Sequence, residues 1–286
     1  MRLFAFGLGY AARRILGRLP GVEASGATRE AAAAAAWRSE GVAAFGLDDA
    51  AAPEILAADL RSAEALLISA PPNEAGDPAL GAYRSAFAAA SNLKRIVYLS
   101  SVGVYGDCAG AWVDETAVCT PNSRRSRWRL AAERSWSEFA SEKGVALDIL
   151  RLAGIYGPGR SALEKLRAGE ARRIVKPGQV FNRIHVDDLA TVAARLIQSG
   201  RPGGLWNVAD EEPAPPQEVI AFAAALLGAP PPPEEDFAAA ELSPMAKSFY
   251  AGNRRVSVNK LRRELGYRWL YPTYREGLRA LAATVS

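Results

Sequence analysis

The run Gly7-Leu8-Gly9-Tyr10-Ala11-Ala12 fits the spacing G-x-G-x-x-G/A, directly after an apolar stretch that reads as a strand and at the opening of a helix. Gly7 permits a tight turn and Gly9 lets the main chain come up against a pyrophosphate. Ala12 lets helix and strand pack closely, and the first N–H groups of the helix face the anion. Leu8, Tyr10 and Ala11 complete the candidate cradle. About 20 residues further on, where an acidic residue would meet the ribose of NAD, the chain reads Ala27-Thr28-Arg29-Glu30. Arg29 suits a bidentate, charge-assisted hold on a 2′-phosphate, which favours NADP over NAD. Glu30 keeps the other alternative open, since its carboxylate could accept from a ribose hydroxyl if the loop shifts by one residue. Thr28 at the end of this strand, and Ser69, Ala70 and Pro71 at the end of a later one, join the candidate cofactor set.

Other reactive side chains are sparse. His185 is the one histidine and reads as structural, with Asp187 or Asp188 expected to cap the helix that follows it. Cys108 and Cys119 lack metal-ligand spacing and are too few for a disulfide framework, so a reducing cytoplasm is the simplest home, and no metal site is expected. Arg183, Lys247, Arg254 and Arg255 offer cations to an acidic or phosphorylated substrate, against a default of solvated surface.

Elements of regular length must position these groups. Arg2–Phe6 reads as a buried strand and Ala11–Leu19 as a helix stopped by Pro20-Gly21. Strands follow at 22–28 and 42–47 around an alanine-rich helix at 29–40, then a strand at 65–69, a helix at 83–91, a strand at 95–101, a helix from 124 to 143 and a strand at 146–152. This alternation forces parallel pairing through right-handed crossovers, in a sheet of six or seven strands. Pro230–Pro233 must be an exposed connection. The fold class is α/β: a Rossmann doubly wound parallel sheet with a smaller C-terminal substrate domain. Residues 1–160 form the NAD(P)-binding Rossmann part, 181–210 return to it, and 161–180 with 211–286 make the substrate-binding part.

The chain has 286 residues, 49% hydrophobic and 23% charged, with net charge +4, which is ordinary globular composition. No basic stripe marks a nucleic-acid partner, and no apolar run approaches the roughly 20 residues of a membrane span. A cytoplasmic protein is expected.

From residue 98 a series of motifs appears in order: Tyr98-Leu99-Ser100-Ser101-Val102-Gly103-Val104-Tyr105-Gly106, then Leu150-Arg151-Leu152-Ala153-Gly154-Ile155-Tyr156-Gly157-Pro158, Ile184-His185-Val186-Asp187-Asp188 and Gly204-Leu205-Trp206-Asn207-Val208. Together they resemble the extended and atypical short-chain dehydrogenase/reductases, the NAD-dependent epimerase/dehydratase-like proteins, over nearly the whole chain. The resemblance implies a nicotinamide cofactor in the crevice at the strand ends, with Ala153 and Ile155 beside it, and carbonyl reduction, epimerisation or dehydration of a small substrate, acidic or sugar-derived. It also makes a homodimer reasonable. Ser101 matches the serine that holds the substrate oxygen.

Two departures stand out. The glycine turn is one residue shorter than the extended pattern, and the Tyr-x-x-x-Lys pair is missing: Arg125 and Arg129 stand at its two positions. Arginine stays protonated and cannot take the lysine's part in tuning a tyrosine, though Arg129 could still anchor a ribose. Tyr105 is the substitute acid/base to consider, with packing at the sheet edge as its alternative, and Tyr156 is in the same position. The expectation is therefore an NAD(P)-dependent oxidoreductase or epimerase-like enzyme with an atypical active site, and the rival is a non-catalytic NAD(P)-sensing or regulatory protein.

Overall fold

A computed structural model describes residues 1–49 and 52–284. Its central sheet starts with β1 (Arg2–Phe6), whose last four residues are all buried, followed by α1 (Tyr10–Leu16), β2 (Glu23–Thr28), α2 (Ala31–Ser39) and β3 (Ala43–Gly46). Then come α3 (Ala52–Ser62), β4 (Ala65–Ile68), α4 (Pro78–Ala89), β5 (Arg95–Ser101) and α5 (Arg124–Lys143). The strands Ala146–Leu152 and Gly204–Val208 complete seven. In space the order is Gly204–Val208, Ala146–Leu152, β5, β4, β1, β2, β3, and the pairs β1–β2, β1–β4, β2–β3 and β4–β5 are parallel. The chain winds outward from β1 to β3, then returns to place β4 on the other side of β1. This reversal makes the carboxyl ends of β1 and β4 the topological switch point, where an open α/β sheet takes its ligand.

The seven-stranded sheet and its parallel pairing follow the pattern read from sequence. Two helices depart from it. α3 was not expected, yet Leu56 and Leu60, one turn apart, are both fully buried. α4 begins at Pro78 rather than at Tyr83, because Asp77 caps it: its Oδ1 accepts from the N–H groups of Ala79 at 3.0 Å and Leu80 at 3.1 Å. Tyr83 itself leaves helical dihedrals, at φ −126° and ψ 18°, so the sequence pattern had marked the second half of a kinked helix. The proline run is coil, and only Pro232 within it is half-buried. Among the described residues no helix is long and apolar enough to cross a membrane.

The structure divides into two compact units, Met1–Ser100 with Arg127–Leu150 and Leu189–Leu205, and Ser101–Ser126 with Arg151–Asp188 and Trp206–Ser286. Whereas the sequence pattern groups residues 1–160 together, the segments 101–126 and 151–160 pack with the second unit. In the first unit Trp136 on α5 is fully buried, with ring centroids 5.6 Å from Phe87, 5.8 Å from Phe139 and 6.4 Å from Tyr98. Arg95 of β5 and Asp148 of the neighbouring strand form a buried ion pair, and Arg95 also donates to the Arg201 carbonyl.

The second unit is built round Tyr156, Leu163, Val219, Tyr274 and Leu278. Asp188 does not cap its helix. Its carboxylate instead gathers the C-terminal segment, accepting from the Tyr267 hydroxyl at 2.5 Å and the N–H groups of Leu270 and Tyr271 at 2.7 and 3.0 Å. It is the N–H of Asp187 that is satisfied locally, by His185 Nδ1 at 3.2 Å.

Candidate functional site

The glycine turn is held by three strand ends at once. Gly7 has φ +103°, and a Cβ there would lie 2.6 Å from the Ala70 nitrogen and 3.0 Å from the Ser69 carbonyl carbon, so only glycine fits. The N–H groups of Gly7 and Leu8 donate to the Ala27 carbonyl at 2.9 and 3.0 Å, and those of Ser69 and Ala70 to the Phe6 carbonyl at 2.9 and 3.0 Å. Gly26, in mid-strand, lets Leu8 lie on β2: a Cβ there would be 2.4 Å from the Ala5 oxygen and 2.9 Å from the Leu8 side chain. Sequence reasoning missed Gly26, although a glycine inside a strand pattern is a signal of close backbone approach.

Gly9 is the opposite case, with no heavy atom within 4 Å of where its Cβ would stand. The turn is thus closed on the protein side and open at Gly9, the arrangement a pyrophosphate needs. Leu8, Ala11 and Ala12 are buried and Tyr10 is half-buried, so only Gly9 of this cradle is exposed. At the end of β2 the Thr28 carbonyl accepts from Leu47 N–H at 2.9 Å, while Asp48 Oδ1 accepts from the first helical N–H, that of Ala31, at 2.7 Å. Arg29 and Glu30 lie exposed beside them, as does Pro71 at the end of β4. The turn, Thr28–Arg29 and Ser69–Pro71 therefore share the carboxyl ends of β2, β1 and β4.

Arg129 is half-buried against β5 in this same unit. Its Nη1 donates to the Leu99 carbonyl at 2.9 Å and the Tyr98 hydroxyl at 3.2 Å. Burial pushes the Tyr98 phenol well above its ordinary range, and its oxygen accepts from Arg129. Arg125, one turn earlier on α5, is exposed.

In the second unit Ser101 starts a short 3₁₀ turn, Val102–Tyr105, and its Oγ accepts from Gly103 N–H at 3.1 Å. Its own hydroxyl proton remains to be donated. Tyr105 is fully buried, donates to Asn207 Oδ1 at 2.7 Å and lies 4.8 Å beneath the Arg151 guanidinium. Burial pushes its phenol up to about 12. Tyr105, considered as a substitute acid/base, is thus a desolvated phenol engaged with Asn207. Tyr156 is likewise enclosed, with its hydroxyl 3.4 Å from the Thr273 carbonyl and its ring seated where Gly277 lacks a side chain. Ala153 N–H donates to the Val208 carbonyl at 3.0 Å, and Ile155 pairs with Ile184.

The cations considered for an acidic substrate are mostly engaged. Arg183 donates to the carbonyls of Phe181 at 2.9 Å and Ala214 at 3.0 Å, Arg254 to that of Gly106, and Arg255 to that of Gly110. Lys247 alone of the four is an exposed residue. A recess lined by Glu211, Arg262, Trp269 and Pro272 lies in the second unit, and none of the sequence-predicted site residues lines it.

The profile of the NAD dependent epimerase/dehydratase family matches residues 80–209, from within α4 to the residue after the last sheet strand. The chain belongs to that family. A functionally unknown conserved protein from Silicibacter pomeroyi DSS is 44% identical, with 99% of each chain covered and a TM-score of 0.88. Family epimerases share the fold at lower identity: UDP-glucose 4-epimerase of Thermus thermophilus, solved in complex with NAD, is 21% identical with a TM-score of 0.76, covering 99% of this chain and 98% of that one. A human epimerase family protein solved with NADPH is 18% identical with a TM-score of 0.75, covering 99% of each. Protein YeeZ of Escherichia coli (strain K12) is 32% identical over 155 residues, and the chain spans about half the length of this curated relative, 54%, with 52% of itself.

Proposed function

We propose that this family member binds a nicotinamide dinucleotide, NADP in preference to NAD, and uses it to oxidise or reduce a small acidic or sugar-derived substrate without a tyrosine proton donor. The observation that carries the reading is the glycine turn, packed too tightly at Gly7 for any side chain and open at Gly9 for an anion. Gly7 to Ala11 would hold the pyrophosphate, Arg29 the 2′-phosphate, and Ser69 to Pro71 the adjoining ribose. When bound, the cofactor supplies or accepts hydride. Ser101 donates a hydrogen bond to the substrate oxygen and so stabilises charge developing there, while Gly103 N–H fixes the serine's orientation. Arg129 contributes a fixed positive charge at the end of β5. The proton itself comes from solvent, since Tyr105 and Tyr156 are both enclosed.

The locked tyrosines favour a second reading, a non-catalytic NAD(P)-sensing protein. Ser101→Ala separates the two. Deuteride transfer from 4-deuterated NADPH to a panel of sugar-derived carbonyls is expected to slow by roughly 100-fold in the variant while NADPH affinity is retained. Absence of transfer by the wild type, with NADPH binding intact, selects the sensor.

A further inference from the structure

The chain has two cysteines, Cys108 and Cys119, both reduced thiols and both half-buried. Neither takes part in the site described above. The segment that carries them folds back on itself through a parallel bridge between Gly106 and Thr120. The approach there is close: a Cβ on Gly106 would stand 1.9 Å from the Thr120 carbonyl oxygen. Cys119, the residue before Thr120, packs against the cluster that contains Tyr105.

Cys108 is turned back toward the same place. Its Sγ donates to the Tyr105 carbonyl at 3.7 Å, and the Thr120 hydroxyl donates to that carbonyl at 3.0 Å. From residue 112 to 120 exposure alternates, with the odd positions Val113, Glu115, Ala117 and Cys119 facing inward. Cys108 and Cys119 consequently pack against one small apolar cluster, Val102, Tyr105 and Val256.

The backbone of Cys108 is fixed as well. Its N–H donates to the Asn253 carbonyl at 2.9 Å, and the turn that follows closes from Ala111 N–H to the Cys108 carbonyl at 2.9 Å. Arg254 donates to the carbonyl of Gly106, two residues before Cys108.

We propose that Cys108 and Cys119 are an oxidation site that closes to an intramolecular disulfide, with a hydroperoxide as the oxidant. The Cys108 thiolate attacks the peroxide oxygen, the O–O bond breaks, and hydroxide leaves a sulfenic acid on Cys108. The Cys119 sulfur then attacks that sulfur, the S–O bond breaks, and the oxygen departs as water with the thiol proton. Two thiols and one hydrogen peroxide yield one disulfide and two waters. The bond staples the excursion between Gly106 and Thr120, which begins five residues after Ser101 and bears the exposed side chains of Trp112 and Val118.

The test is intact-mass analysis and peptide mapping of the full chain treated with about 1 mM hydrogen peroxide, beside Cys119→Ser treated with the same oxidant and dimedone. The wild type is expected to lose about 2 Da, remain monomeric on a non-reducing gel and give one peptide pair joined through Cys108 and Cys119, reversed by dithiothreitol. Cys119→Ser is expected to trap a dimedone adduct at Cys108. A wild type that keeps both thiols, gains oxygen on either sulfur without a cross-link, or joins two chains overturns the proposal. Serine in place of the thiol keeps the side-chain volume, and an unchanged far-UV spectrum of the variant certifies that its fold is intact.

Discussion

The Tyr105 hydroxyl donates to Asn207 Oδ1 at 2.7 Å, beneath Arg151 and out of contact with solvent. This pair ties the segment after Ser101 to the strand end at Asn207. Burial raises the phenol to about 12 in the folded chain, against about 10 in the unfolded one. The folded state therefore holds the proton more tightly. The associated stability is complete below about pH 10 and is lost as pH rises through about 12. Tyr105→Phe is expected to cost about 1 kcal/mol in a neutral urea melt, through the lost hydrogen bond. It should also blunt part of the alkaline loss of stability while leaving any hydride transfer near pH 8 unaffected. A variant whose transfer rate collapses at pH 8 with its stability intact would restore Tyr105 as a proton donor.

Gly7 and Gly9 separate folding from binding. Gly7→Ala places a methyl group against the Ala70 nitrogen in a left-handed conformation, with backbone strain of about 1–3 kcal/mol before the clash is counted. Gly9 is extended, with φ −109°, and its Cβ position is empty. Gly9→Ala is expected to leave thermal stability within about 0.5 kcal/mol of wild type, while calorimetric titration shows NADPH affinity reduced at least tenfold, about 1.4 kcal/mol.

Most of the sheet was legible because its strands are short apolar runs punctuated by glycine, proline and helix-forming stretches. The glycine turn was legible for the same reason, since the required residue types are set by local backbone geometry. What escaped was tertiary. Asp77 caps α4 from outside the apolar pattern, Gly26 owes its identity to Leu8 packing across two strands, and Arg254 and Arg255 are drawn to backbone carbonyls distant in sequence. Tyr105 stood in a motif that marks the sheet edge, yet its availability depended on Asn207, about a hundred residues away in the chain.

The Arg95–Asp148 pair is buried on both sides, with side-chain exposures of 6% and 0%. Asp148→Ala leaves the guanidinium without its counter-charge and is expected to destabilise by about 3–5 kcal/mol in chemical denaturation. A loss below 1 kcal/mol would mean that the Arg201 carbonyl and water suffice to hold Arg95.

Ala109 has φ +49°, in the turn between Cys108 and Ala111. The left-handed conformation costs an alanine about 1–2 kcal/mol, partly offset by the greater chain entropy of glycine when unfolded. Ala109→Gly is expected to raise the melting temperature by a few degrees, and a lowered one would contradict the strain.

The most direct test of the account is a titration of the purified protein with NADPH and with NADH, followed by nicotinamide fluorescence and by the melting shift that accompanies binding to the native state alone. NADPH is expected to bind more tightly than NADH, and Arg29→Ala is expected to abolish that preference while sparing NADH. Binding of neither nucleotide would contradict the cofactor assignment, and an NADPH preference untouched by Arg29→Ala would move the 2′-phosphate site elsewhere.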